Sequence, residues 1–211
     1  MNERGSEGTY GLWKETRTAL IAGVTLMLLL CAGYPLAVWG LSQAVFPHQA
    51  RGSLIHSQQG GATPVGSALL GQAFRSREYF HSRPSNAGGG YNAAASGGSN
   101  LGPTSKALMD SIRARIDRYR AENGLAAGTP IPADAVTASA SGLDPEISLD
   151  NALLQASRVA KARGMDPSDM ERMVRARLRG RDLGILGEPG VNVLLLNLDL
   201  DKRTGTRNHG R

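Results

Sequence analysis

From Ala19 to Leu41 the chain runs for 23 residues without a charged side chain, and no other stretch of the sequence does this. At about 1.5 Å per helical residue the run reaches roughly 34 Å, enough to cross a hydrocarbon core of about 30 Å with some tilt. A cleaved signal peptide is the competing reading, with an apolar core of only about 7–15 residues and a small-x-small cleavage site. Cys31 and Gly33 loosely imitate such a site, but apolar character continues through Pro35, Leu36, Val38 and Trp39 to Leu41. A lipoprotein site would place a small residue before the cysteine, and Leu30 stands there. The pattern therefore predicts one uncleaved membrane anchor.

Past the anchor the periods change. Ser53–Gln58 and Val65–Gln72 read as short strands separated by a turn at Gly60-Gly61. An aromatic and basic stretch from Phe74 to Arg83 is closed by Pro84, and residues 85–103 are rich in Gly, Ser, Asn and Ala without any period. A loop of that length is either functional or disordered. Three helices follow. The first spans about Thr104 to Asn123, with Leu108, Ile112, Ile116 and Tyr119 inward and Gly124 as its stop. The second begins near the N-cap candidate Ser148 and ends before Gly164, with Leu149, Leu153, Ala156, Val159 and Ala160 inward. The third opens on Asp166, Pro167 and the capping-box acid Asp169, buries Met170, Met173, Val174 and Leu178, and ends at Gly180. After a turn at Glu188-Pro189-Gly190, Val191–Leu200 gives the strongest strand signal, with Leu194, Leu196, Leu198 and Leu200 on one face. The expectation is an α+β soluble domain attached to one N-terminal transmembrane helix.

Charge sets orientation and excludes some partners. Arg4, Lys14 and Arg17 precede the apolar run while only Arg51 follows it closely, which favours a cytoplasmic N-terminus and an external domain. The expected division is residues 1–17 cytoplasmic, 18–45 transmembrane, 46–201 an extracytoplasmic α+β domain and 202–211 a disordered basic tail, at a bacterial inner membrane. The net charge of +6 lies wholly in the external part. Arginines at Arg113–Arg120 and Arg172–Arg181 suit the solvated faces of amphipathic helices, and an external domain does not meet nucleic acid. The sole cysteine, Cys31, lies in the anchor, so no disulfide forms within the chain.

A search for chemistry returns little. There is no phosphate-cradling GxxxxGK[ST] loop and no GxSxG nucleophile elbow, and His48, His56, His81 and His209 lack metal spacing. Asp201-Lys202-Arg203-Thr204-Gly205-Thr206 approximates the phosphorylation motif of P-type ATPases, but an inserted arginine breaks its register. Ser96-Gly97-Gly98-Ser99-Asn100 resembles the serine-glycine signature of ABC-type ATPases and can form an anion nest; it equally suits a turn feeding the following helix. No catalytic residue, metal site or bound cofactor is assigned.

Taken in order, longer blocks carry more. These are Gly66-Ser67-Ala68-Leu69-Leu70-Gly71-Gln72, Tyr79-Phe80-His81-Ser82-Arg83-Pro84-Ser85, Tyr91-Asn92, and Ser96 to Thr104. Further on come Val136 to Pro145, Arg158 to Arg163, and Val191-Asn192-Val193 with Leu196-Asn197-Leu198. Together they resemble the C subunit of the Kdp potassium-transporting ATPase, across the apolar run and essentially all of residues 46–201. Departures are the glycine insertion Gly88–Gly90, Ser105 in a variable slot and the basic tail after Lys202.

The resemblance implies a non-catalytic subunit of a high-affinity potassium importer driven by ATP. Its partners would be a channel-like potassium-binding subunit, a P-type ATPase subunit and a small hydrophobic peptide. The family is also described as raising the ATP affinity of the ATPase subunit, which conflicts with a domain placed outside the membrane. ATP and potassium would be handled by the complex. A docking or nucleotide-linked loop is expected at Arg83, Pro84, Ser85, Tyr91, Asn92, Ser96, Gly97, Gly98, Ser99 and Asn100. The alternative from another class is a stand-alone membrane-tethered binding domain.

Overall fold

The computed structural model describes residues 6–56 and 63–205. The predicted turn at Gly60-Gly61, Arg4, His209 and the tail from Thr206 lie outside the described residues. In sequence the chain divides into two compact units between Ser53 and Leu54.

The first unit is helical: α1 (Ser6–Leu28), a π-helical turn (Leu29–Gly33), α2 (Tyr34–Val45) and the short α3 (Pro47–Ala50). Residues 11–45 form the one helix among the described residues long and apolar enough to span a membrane, and none of its spanning window is buried within the chain. The π turn has a local cause. Pro35 has no N–H to give and its ring would strike the carbonyl one turn earlier, so the backbone widens and the Tyr34 N–H reaches back five residues to the Leu29 oxygen.

The second unit holds two small antiparallel sheets among five helices. β1 (Leu54–His56) pairs with β2 (Pro64–Ser67), with Leu54 opposite Ser67. The other sheet has strand order β3 (Glu146–Ile147), β5 (Gly190–Asn192), β4 (Leu178–Arg179). The helices are α4 (Lys106–Asn123), α5 (Ala133–Val136), α6 (Leu149–Arg163), α7 (Pro167–Ala176) and α8 (Val193–Thr204). Ser105, Ser148 and Asp166 cap α4, α6 and α7 through bonds to Leu108, Asn151 and Ser168, and Gly124 and Gly164 stop α4 and α6 in the left-handed conformation.

Three expectations are corrected. The run Val191–Leu200 is not a strand: β5 stops at Asn192, whose side chain accepts from the Leu195 N–H and starts α8. Seven of the ten residues in the run are apolar, so strand and helix periods both fit it; the N-cap, Lys202-Arg203 in the last turn and Gly205 behind them decide for helix. The third helix ends at Ala176 rather than Gly180, because Leu178–Arg179 leaves it to pair with β5. Asp169 does not close a capping box; it pairs with Arg172.

The core is built on α6 and α8, with Val159, Ala160, Leu196 and Leu200 fully buried beside Tyr79, Phe80, Met170 and Val191. Into it leads a non-helical segment, Arg77 to Ser82, which opens in a turn closed by the Tyr79 N–H on the Ser76 carbonyl and whose backbone then pairs with side chains instead of a strand. Asn197 accepts the Phe80 N–H and donates to the Phe80 carbonyl, both at 2.9 Å. Gln155 does the same for His81, at 2.7 and 3.1 Å. Arg158 Nη1 donates to the Arg77 and Tyr79 carbonyls, and Arg163 Nε donates to that of Glu78. Arg163 also bridges to Asp201 at 2.8 Å and lies 4.8 Å from the Tyr79 ring centroid, while the Tyr79 hydroxyl donates to the same aspartate. Burial raises the Tyr79 pKa and lowers that of Arg158 to about 10.

Removing one carboxamide strands two buried backbone groups, each costing about 1–3 kcal/mol. Asn197→Ala should therefore destabilise the domain by about 2–5 kcal/mol in denaturant titration of the full chain. Lys106→Ala, at an exposed ion pair with Asp110, should stay within about 0.5 kcal/mol.

Candidate functional site

The periodless loop after Pro84 is ordered by a second family-like block, residues 139–144. Arg83 Nη1 bonds Asp144 at 2.7 Å. Ser85 Oγ donates to the Gly142 carbonyl at 2.6 Å and accepts from the Ala87 and Tyr91 N–H groups, so one hydroxyl ties three parts of the loop. The Tyr91 hydroxyl closes back on the Arg83 carbonyl, and burial pushes its pKa up to about 12. Ser96 Oγ and the Gly97 N–H both donate to the Ser141 carbonyl at 2.9 Å, and Ser139 donates its N–H to the Pro84 carbonyl. Asn92 caps a short 3-10 turn at Ala93–Ala95.

Gly142 makes the clamp possible. It sits at φ +70°, and a Cβ there would fall 2.7 Å from the Gly97 oxygen and 2.8 Å from Ala87.

The ten predicted residues thus divide. Arg83, Pro84, Ser85, Tyr91, Ser96 and Gly97 meet at the clamp, and Gly98 approaches the Ala140 backbone. Asn92 faces outward on its own turn, and Ser99 and Asn100 lie exposed with Leu101, Gly102, Pro103 and Thr104 on a rim leading into α4. Asn100 is left-handed at φ +53°. Two donors that an anion nest would use, Ser96 Oγ and the Gly97 N–H, are occupied by Ser141.

Beside the clamp an open groove of about 650 Å³ is lined by Asp134, Asp144, Glu146, Asp150 and Glu188 together with Arg83 and Arg179. Its carboxylates are largely engaged. Asp134 accepts from Ser148 and Asn151, Asp144 and Glu146 face Arg83 and Arg179, and Glu188 faces Arg181. Among the described residues no group of three or more His, Cys, Asp or Glu side chains is placed to hold a metal ion.

Sequence reasoning missed the clasping side chains. Gln155 and Asn151 lie in no motif, and Arg158 and Asn197 lie in blocks of resemblance that assign them no role, yet each is buried on a helix face otherwise apolar. Asn151, Gln155 and Arg158 at i, i+4 and i+7, and Asn197 and Asp201 at i, i+4, are the spacing that gives them away. Tyr119 joins the network, its hydroxyl donating to Asn151 Oδ1 at 2.8 Å, and burial raises its pKa.

Two expectations follow. Gly142→Ala should destabilise the domain by about 2–4 kcal/mol and speed proteolytic cleavage between Ala87 and Leu101. His81 gives a pH signature. Burial, and next the Arg158 charge, hold its pKa below 6.5, against a weaker opposing pull from the Ser76 carbonyl and Glu122. The unfolded chain then binds the extra proton, so stability falls as pH drops below 6.5 toward the folded-state value. Thermal melts of His81→Gln should show a flatter decline over that window than the parent chain.

Comparisons with known proteins place the chain in a family. The family described as KdpC, K+-transporting ATPase, c chain, matches residues 16–202, covering the apolar helix and the folded domain together. The potassium-transporting ATPase KdpC subunit of Myxococcus xanthus is 54% identical over 188 residues, which is 89% of this chain and 88% of that protein. That of Rhodopseudomonas palustris is 49% identical over 203 residues, 90% of this chain and 98% of the relative. That of Mycobacterium tuberculosis is 49% identical over 190 residues, 88% and 99% respectively. The clamp, the carboxamide-clasped segment and the anchor all lie inside the matched region, and the chain belongs to the KdpC family.

Proposed function

We propose that this chain is the accessory C subunit of an ATP-driven, high-affinity potassium importer, needed for the complex to assemble and remain stable. The match over residues 16–202, spanning membrane helix and domain alike, carries the reading. The chain crosses a bacterial inner membrane once, with its N-terminus in the cytoplasm and its domain outside. Lys14 and Arg17 before the span, against Arg51 after it, support that orientation. Its partners are a channel-like potassium-binding subunit, a P-type ATPase subunit and a small hydrophobic peptide, which carry the ion path and the phosphoryl chemistry.

The exposed rim from Ser99 to Thr104 is the docking surface for the channel-like subunit, held in shape by the Ser85–Gly142 and Ser96–Ser141 bonds beneath it. Any effect on nucleotide affinity acts through the assembled complex. The occupied Ser96 and Gly97 donors support a serine-glycine loop that is structural rather than nucleotide-binding.

Three measurements test this. The full chain, tagged and extracted in mild detergent, should co-purify with the transport subunits; a stable lone monomer would sink the assembly role. A cysteine at exposed Arg172 (R172C) should react with a membrane-impermeant maleimide in whole cells, and protection would reverse the orientation. Asn100→Gly, which keeps the left-handed backbone, combined with Leu101→Asp should lower potassium uptake about fivefold or more with an unchanged melting temperature. Unchanged uptake would remove the docking role of the rim.

A further inference from the structure

The π turn has a consequence for the backbone around it. Leu30 is the midpoint of the uncharged run Ala19–Leu41, which puts it at the greatest depth in the bilayer. In a regular helix its carbonyl would accept the Tyr34 N–H, but that N–H reaches the Leu29 oxygen instead. The next residue, Pro35, has none. Cys31 fares no better, because the residue four positions on is the same proline. Two adjacent carbonyls at mid-depth therefore lose their ordinary helical donors.

No side-chain hydroxyl stands ready to replace those donors. A hydroxyl that back-bonds to a carbonyl three or four residues earlier would have to sit at 33, 34 or 35, and these are Gly33, Tyr34 and Pro35. The Tyr34 ring is too long and stiff for that bond. Acyl chains carry no donor, and water is absent from the hydrocarbon core. Cys31, Gly33 and Tyr34 are all exposed on this helix, and Gly33 adds no side chain to obstruct an approaching backbone.

We propose that the Leu30–Cys31 carbonyl pair is a docking point for a transmembrane helix of another subunit, one that presents a hydroxyl, amide or indole N–H donor at mid-bilayer depth. This rests on the accessory-subunit reading and adds where the span is held and by which chemistry. The donor replaces the hydrogen bonds that Pro35 removes, so the contact is polar at the place where the surrounding helix is most apolar.

Photo-cross-linking in the full complex tests it. A benzophenone amino acid at Leu30 or Tyr34 should cross-link to one transport subunit, and the same probe at Leu28 or Ala32, about half a turn away, should cross-link to that subunit at least fivefold less. Pro35→Ala restores the missing N–H and lets the helix close. It should reduce co-purification of the partner subunits by about three- to tenfold while leaving the chain's membrane insertion unchanged. If the parent chain co-purifies but the Leu30 probe labels only lipid or a second copy of this chain, the docking point is wrong and the accessory role stands. If Pro35→Ala assembles at the parental level, the carbonyl pair is not the contact. If the parent chain itself purifies alone, the accessory role fails first.

Discussion

The domain depends on one substitution of partners: side-chain carboxamides and guanidinium groups take the place of a β-strand along Arg77–Ser82. A non-helical segment that enters a core ordinarily finds its hydrogen bonds in a sheet, and unpaired buried backbone groups would outweigh much of the domain's net stability. Here Asn197 and Gln155 each bracket one residue, pairing with its N–H and its carbonyl together. They come from different helices, α8 and α6, so the segment pins those helices to one another as well as being pinned by them. Arg158 and Arg163 complete the set, and Asp201 balances the buried charge of Arg163. Because these contacts go to backbone atoms, they fix the path of residues 77–82, turn included, and ask little of its side chains beyond Tyr79 and Phe80.

From that segment the chain passes directly into Arg83 and the glycine-rich loop, which places the clamp at the end of its most firmly held stretch. Ser85, Gly142 and Ser141 then fix a long irregular loop with a handful of bonds, and the exposed rim inherits that rigidity without contributing to it. The division suits a recognition element: ordering is supplied beneath, so little entropy remains to be lost when a partner binds the surface. The acidic groove beside the clamp is wide, and four of its five carboxylates face an arginine, serine or asparagine of the chain itself.

Local signals in the sequence were legible where one residue sets one geometry. Ser148 and Asp166 start helices, Gly124 and Gly164 stop them, and the apolar run is a long helix. The reading failed where two periods fit the same residues. Val191–Leu200 is apolar enough to satisfy strand alternation, and the tie is broken by signals at its ends, the Asn192 cap, Lys202-Arg203 and Gly205, together with the buried Asn197 and Asp201 on one helical face. It also failed where pairing partners lie far apart: Leu178–Arg179 leaves its helix early because Val191 and Gly190 are waiting for it. In the candidate loop, which residues belong together was legible as blocks of resemblance. What they do was not, since Ser85 and Ser96 act on carbonyls 57 and 45 residues away.

The π turn at Leu29–Gly33 also affects the two ends of the span differently. A wide turn holds more than the usual 3.6 residues, so it shifts the azimuth of everything after it relative to everything before. A stripe of side chains climbing through Gly23 and Met27 is therefore not continued in line by Val38 and Leu41. No straight neighbouring helix could follow one stripe along the whole length of this helix. The anchor thus behaves as two short helices sharing an axis, each with its own outlook on its surroundings.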